Sequence, residues 1–199
     1  MKRIFDIFTS LVGLVIISPL ILIASILIKM DSEGPVFFKQ WRIGKDGKQF
    51  RVYKLRTMVR DADKISGQIT KANDPRITRI GKLLRRYEID ELPTLINVLK
   101  GDMSIVGPRP EVPKYFKHYD NLKYREVLSV QPGITDLGTM TFRDEAKYLC
   151  GQNHEAIYEK EILPHKLDLY LEYVHNRSFL VDLKIILKTI ALILKQRKR

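Results

Sequence analysis

IFTSLVGLVIISPLILIASILI, residues 7–28, is a run of 22 residues without a charged side chain. A helix rising about 1.5 Å per residue over such a run can cross a hydrocarbon core of about 30 Å. The run is longer than the roughly 7–15 apolar residues of a signal peptide and lacks an A-x-A-like cleavage site, so it reads as a membrane segment. Ser18-Pro19 lies in its middle, where proline removes a backbone hydrogen bond and crowds the carbonyl four residues earlier, so a break or kink is expected there. Lys2 and Arg3 precede the run and Lys29, Lys39 and Arg42 follow it, which assigns both flanks to the cytoplasm. A helix that enters, bends and returns satisfies that charge pattern. A straight spanning helix is the competing reading.

Outward from this run the chain is basic, with 35 Lys and Arg against 23 Asp and Glu, a net charge of +12 over 199 residues. That excludes an acidic or neutral cytosolic domain and points to phosphate, either of nucleic acid or of anionic lipid headgroups. A hydrophobic content of 45% excludes wholesale disorder. The single cysteine, Cys150, excludes an intramolecular disulfide and a cysteine-based zinc cluster, and it fits a reducing compartment. His118, His154, His165 and His175 match no H-E-x-x-H spacing and are given no role, and no glycine-rich nucleotide loop occurs. Any phosphate site must then be built from arginines.

Residues 179–194, FLVDLKIILKTIALIL, form a second apolar stretch, interrupted by Asp182, Lys184 and Lys188 and followed by KQRKR. From Phe179 onward there are six basic side chains and one acidic one, the pattern of a helix lying in the headgroup layer with snorkelling lysines. An ordinary core-packing helix is the alternative. Three segments of one domain follow: residues 1–30 as a membrane helix-break-helix, 31–177 as a cytoplasmic domain, and 178–199 as a basic interfacial helix.

Within the middle segment, Val36–Arg42 and Phe50–Leu55 read as a hairpin closed by Gly44-Lys45-Asp46-Gly47. Val59–Ile65 suits a short helix, and Ser66-Gly67 and Asn73-Asp74-Pro75 punctuate a polar loop. Ile77, Ile80, Leu83 and Leu84 recur at helical spacing among Arg76, Arg79, Lys82, Arg85 and Arg86. A helix over Glu91–Lys100 follows, with Asp90 as N-cap, Pro93 in its first turn and Gly101 after its end. Gly107 with Pro108, Pro110 and Pro113 holds an extended loop that presents Arg109. Glu155–Val174 reads as a packing helix broken at Pro164.

Asp90-Glu91 alone suits a helix cap. Beside Arg85, Arg86 and a helix N-terminus, however, nearby positive charge is expected to hold such a carboxylate ionised, as a nucleophile requires, and to attract phosphate. Carboxylates can also hold magnesium that bridges phosphates.

KRIFDIFTSLVGLVIISPL at the start, YKLRTM at 53–58, DPRITRIGKLLRRYEIDELPTLINVLKGDMSIVGPRP at 74–110, PGIT at 132–135 and DLKIILKTI at 182–190 resemble the bacterial sugar transferase family. These are small monotopic phosphoglycosyl transferases that load undecaprenyl phosphate. The resemblance covers nearly the whole chain. It implies a re-entrant helix broken at Ser18-Pro19, an active site on the cytoplasmic face of the bacterial inner membrane, a magnesium ion (Mg2+), a UDP-sugar donor and undecaprenyl phosphate as acceptor. By this likeness Asp90 is the nucleophile that takes the phosphosugar and expels UMP, and Glu91 assists through magnesium placement or proton handling. Arg85, Arg109 and Arg143 bind donor phosphates, with Lys54 as a weaker candidate. One segment departs from the family: many members continue Gly-Trp-Ala-Gln after PGIT, whereas Asp136-Leu137-Gly138-Thr139 stands here.

The fold class expected is α+β, a mainly helical membrane-associated single domain with a small hairpin. The function expected is the initiating membrane step of glycan or glycoconjugate assembly. A non-catalytic adaptor gripping anionic lipid, with Asp90-Glu91 only a cap, is the rival from another class. Nucleic-acid binding finds no matching module. The sequence leaves the sugar and the oligomeric state open.

Overall fold

A computed structural model of the chain describes residues 1–62, 74–119, 122–141 and 154–196. The main elements are α1 (Lys2–Asp31), β1 (Phe37–Ile43), β2 (Gln49–Leu55), α2 (Arg79–Arg86), α3 (Thr94–Lys100), β3 (Ser104–Val106), β4 (Gly133–Thr135), α4 (Leu163–Asn176) and α5 (Phe179–Gln196). The result is mainly helical, with two small two-stranded sheets, β1 antiparallel to β2 and β3 parallel to β4.

The expected break at Ser18-Pro19 is absent as a break in secondary structure, because α1 runs unbroken through Pro19. The physical reason lies in the neighbouring serine. Proline has no N–H for the carbonyl of Val15, and the Ser18 hydroxyl donates to that carbonyl at 2.8 Å. Most of the helix's apolar surface is open, including Phe8, Leu11, Val15, Ile16, Leu22, Ile23 and Ile26, and its buried side chains are Asp6, Ser10, Ala24 and Ile28.

Polar groups at both ends of α1 fasten it to the rest of the chain. Arg3 donates to the carbonyls of Val98 (2.5 Å) and Leu99 (2.9 Å), covering the negative end of α3. Asp6 accepts from the Ser104 hydroxyl at 2.8 Å and from the backbone N–H of Ile105 at 3.1 Å, which satisfies a carboxylate buried within an apolar helix. Lys2 donates to the Val106 carbonyl (3.0 Å), to Tyr173 (3.2 Å) and to Asp182 of α5 (2.5 Å). At the other end Asp31 accepts from the N–H of Ile80 at 2.9 Å, and Ala24 and Ile28 pack with Leu55 and Leu84.

The hairpin forms, with the first strand shifted by one residue from Val36–Arg42 to Phe37–Ile43, the second starting one residue earlier at Gln49, and Asp46 and Gly47 taking positive φ in the reversal. Thr78 caps α2 by accepting from the N–H of Gly81 at 3.0 Å. The helix after the dyad starts later than expected. Ile89–Glu91 is a single 3-10 turn, α3 begins at Thr94, and neither Asp90 nor Glu91 makes a capping bond. Of the segment Val59–Ile65, residues 63–65 lie outside the described residues, as do Ser66-Gly67, Asn73, Arg143 and the last three basic residues. The break expected at Pro164 is not one of secondary structure: a π-helical turn, Tyr158–Ile162, leads without interruption into α4, whose first turn holds the proline. On α5, Ile185 and Asp182 face inward while Phe179, Leu180, Leu183, Leu187 and Ile190 are exposed.

The parallel pair β3–β4 is not legible in the sequence, where residues 102–113 read only as an extended loop. It is locked by a glycine contact: a Cβ on Gly133 would stand 2.1 Å from the Gly107 nitrogen. Gly107 donates to the Thr135 carbonyl at 3.1 Å, and Gly133 to the Pro108 carbonyl at 2.9 Å. Gly133→Ala should therefore destabilise the protein by about 2–3 kcal/mol through overpacking, read as a lowered midpoint of thermal unfolding. An unchanged midpoint would refute the close approach.

Candidate active site

Asp90 reaches its position through a strained reversal. After α2 the chain turns at Glu88, whose backbone is left-handed (φ 56°, ψ 22°), a conformation costing a non-glycine residue on the order of 1–3 kcal/mol. This turn delivers Ile89–Glu91 to the open face of the hairpin and the start of the Pro-Arg-Pro loop. Asp90 is buried to 9% exposure, whereas Glu91 remains partly open.

Glu91 is the hub. Its Oε1 accepts from Lys54 of β2 at 2.8 Å and from Arg109 at 2.5 Å, and Oε2 accepts a second Arg109 bond at 3.2 Å. This fork-on-fork arrangement fixes the plane of the guanidinium. Burial pushes the Glu91 carboxyl up, but Arg109 and then Lys54 outweigh it and hold the group well below the usual carboxylate range. In return Glu91 raises the Arg109 pKa against its burial. Burial lowers Lys54 despite its ion pair.

Asp90 shifts in the opposite direction. Burial, and then the Glu91 charge, push its carboxyl above the ordinary value, and Lys54, Arg85 and its own backbone N–H only partly oppose them. The two adjacent carboxyls are thereby driven apart, one firmly ionised and one more basic, an arrangement typical of paired groups with separate roles.

Arg85 faces this pair from α2. Its Nε donates to the Thr57 hydroxyl at 2.8 Å, and burial lowers its pKa while Asp90 raises it. Thr57 is buried, and its backbone is gripped by α2: the Thr78 N–H donates to its carbonyl at 3.0 Å, and a Cβ on Gly81 would meet that oxygen at 2.0 Å. Arg86, by contrast, is exposed and lies over the Tyr87 ring at 5.8 Å, away from the pair. Arg76 is committed to Asp74 through bonds of 2.9 and 2.6 Å.

The structure thus brings together Asp90, Glu91, Lys54, Arg85 and Arg109. Arg143 lies outside the described residues. Sequence reasoning missed two members. Thr57 sits inside the YKLRTM stretch without a chemical signature of its own. Arg42 read only as a flanking charge, yet it donates to the Pro110 carbonyl at 2.9 Å and to Gln40 at 2.7 Å, and its charge is felt by Lys54. Glu111, which accepts from Tyr158 at 2.8 Å, supplies the charge opposite Arg42. Cations from three separate segments gathered around an acidic pair suit a substrate carrying several phosphate charges.

Comparison with known proteins places the chain in a family. The pattern described as "Bacterial sugar transferase" matches residues 1–196. The chain is 42% identical over 196 residues to the exopolysaccharide production protein PSS of Rhizobium leguminosarum, covering 96% of this chain and 93% of that one. It is 38% identical over 197 residues to the UDP-N-acetylgalactosamine-undecaprenyl-phosphate N-acetylgalactosaminephosphotransferase of Aeromonas hydrophila, covering 97% of this chain and 43% of that one. It is 39% identical over 194 residues to the UDP-glucose:undecaprenyl-phosphate glucose-1-phosphate transferase of Escherichia coli, covering 96% of this chain and 39% of that one. The chain therefore spans less than half the length of the latter two relatives. With residues 1–196 matched, this chain belongs to the bacterial sugar transferase family.

Proposed function

We propose that this protein transfers a sugar 1-phosphate from a UDP-sugar to undecaprenyl phosphate at the cytoplasmic face of the bacterial inner membrane, initiating glycan or glycoconjugate assembly. The observation that carries the reading is that the acidic pair caps nothing. Glu91 organises Lys54 and Arg109 and leaves Asp90 facing Arg85, with no cation at ion-pair distance from Asp90 among the described residues. The adaptor alternative required the pair to act as a cap and loses its basis. Relatives named for N-acetylgalactosamine and for glucose support the reaction class and leave the sugar open.

In this reading an Asp90 carboxylate oxygen attacks the β-phosphorus of the donor. The bond from that phosphorus to the bridging oxygen breaks, the electron pair leaves with UMP, and a phosphosugar remains on Asp90. A phosphate oxygen of the lipid acceptor then attacks the same phosphorus, freeing Asp90 and forming the lipid diphosphate. Arg85 and Arg109 hold donor phosphate oxygens and spread their charge in both steps. Arg143 belongs to this set by resemblance alone.

Magnesium fits the site through Asp90. Both Glu91 oxygens are occupied by Lys54 and Arg109, and among the described residues no trio of acidic, His or Cys groups is placed to hold a metal. A magnesium ion here would take one protein carboxylate and otherwise donor phosphates and water, its ordinary habit, and would supply neutralisation of phosphate charge.

A re-entrant, monotopic placement of α1 belongs to the same proposal. It is supported by both ends of the helix being tied to one globular unit, Lys2, Arg3 and Asp6 at one end and Ile28 and Asp31 at the other. The apolar face of α5 beside a basic end supports contact with anionic lipid.

Three outcomes test the proposal. Mass spectrometry of the protein mixed with a panel of UDP-sugars should show a phosphosugar adduct on Asp90 with release of UMP. Asp90→Asn should abolish both, and normal turnover by that variant would sink the mechanism. Thr57→Val should slow turnover about tenfold, the equivalent of about 1.5 kcal/mol for a lost bond to a charged group, while Thr57→Ser stays near wild type; equal rates in all three would remove Thr57 as a positioning residue. In a variant lacking Cys150, single cysteines placed ahead of Met1 and at Glu33 should both react with an impermeant maleimide from the cytoplasmic side. Reaction from opposite sides would establish a spanning helix.

A further inference from the structure

Arg109 stands between two buried prolines, and the backbone is held on both sides of it. Ahead of it the Pro108 carbonyl accepts from the Gly133 N–H at 2.9 Å. After it the Pro110 carbonyl accepts from Arg42 Nη1 at 2.9 Å, and the Glu111 carbonyl accepts from the Ile43 N–H at 2.8 Å. Proline has no N–H, so its carbonyl is the one polar backbone group by which each of these positions can be gripped. Of the three grips, the one at Pro110 comes from a side chain.

That side chain is itself aimed. Gln40, two residues earlier on β1, accepts from Arg42 Nε at 3.2 Å and from Nη2 at 2.7 Å. Residues two apart on a strand share a face, and in the β1–β2 register Phe38, on the same face as Gln40 and Arg42, stands opposite Lys54. The face that sends Lys54 to Glu91 therefore also sends Arg42 to the loop that carries Arg109. Each of the three guanidinium nitrogens of Arg42 already has an acceptor within the protein, two bonds to Gln40 and one to Pro110, which suits support of the loop rather than contact with substrate. Its charge still reaches the site. Burial lowers the Arg42 pKa, Glu111 opposes that shift, and Arg109 adds to it. Two neighbouring guanidinium groups repel, and the fork of Arg109 on Glu91 relieves the repulsion.

We propose that Arg42 is a positioning residue for donor binding: oriented by Gln40, it fixes the loop at Pro110 so that Arg109 meets a phosphate of the UDP-sugar beside Asp90. The inference rests on the donor assigned above.

The test uses the full-length protein in detergent micelles and UDP, which carries both phosphates of the donor, with binding measured by calorimetry in the presence of magnesium. Arg42→Met should raise the Kd for UDP about tenfold, the loss of one hydrogen bond made by a charged group. In an Arg109→Ala background the same substitution should change the Kd by less than about twofold, because Arg42 acts through Arg109. A further tenfold rise in that background would overturn the proposal in favour of direct contact between Arg42 and phosphate. Gln40→Leu removes the orienting acceptor and leaves Arg42 in place. It should raise the Kd about threefold, with Gln40→Glu recovering most of the loss, and this pair decides the matter if Arg42→Met does not fold. A Kd equal to wild type in Arg42→Met, or in Gln40→Leu where that is the deciding variant, would overturn the proposal outright. If wild type binds no UDP and releases no UMP from any UDP-sugar, the functional reading fails and takes this inference with it, a result distinct from any variant effect.

Discussion

The ion-paired carboxylate of Glu91 is the constraint on which the site depends. Lys54 comes from a hairpin strand and Arg109 from a proline-rich loop, and neither is near the other in sequence. Three mutually repelling cations, counting Arg85, could not be gathered in a partly desolvated place without a fixed counter-charge. Glu91 supplies it and is used up in doing so. Its neighbour Asp90, one residue away on a single 3-10 turn, is left with the opposite electrostatic character. The division of labour between adjacent carboxyls follows from which of them the cations can reach.

Much of this was legible in the sequence because it is local. The apolar run, the hairpin with its Asp-Gly reversal, the basic amphipathic helix and the acidic pair each announce themselves within about ten residues by period or by turn chemistry. What stayed hidden depends on contacts between distant segments. No local signal pairs Ser104–Val106 with Gly133–Thr135, since three-residue strands carry no period and proline on either side argues for a loop. Thr57 and Arg42 gain their roles only when β1 and α2 close on the dyad. The sign of the Asp90 shift could not be read either, because the sequence shows the nearby charges but not the burial that outweighs them.

The N-terminal helix illustrates a further limit of local reading. Proline in the middle of an apolar run argues for a break, and the argument holds for the proline alone. Ser18 supplies a hydroxyl to the carbonyl that proline abandons, so the helix continues in secondary structure with its polar demand met from within. Lys2, Arg3 and Asp6 likewise read as a charge label for membrane orientation, and in the fold they are the pins that hold α1 to α3, β3 and α5.

The contact between Gly107 and Gly133 divides the chain that serves the site into two regimes. Up to Thr135 the backbone is fixed on both sides, by hydrogen bonds across the parallel pair and by a separation that admits no side chain. From Asp136 onward that lock no longer applies. The loop that carries Arg109 and the strand that ends at Thr135 are held by it in one fixed relation, so that neither can slide along the other without opening the seam between the two glycines.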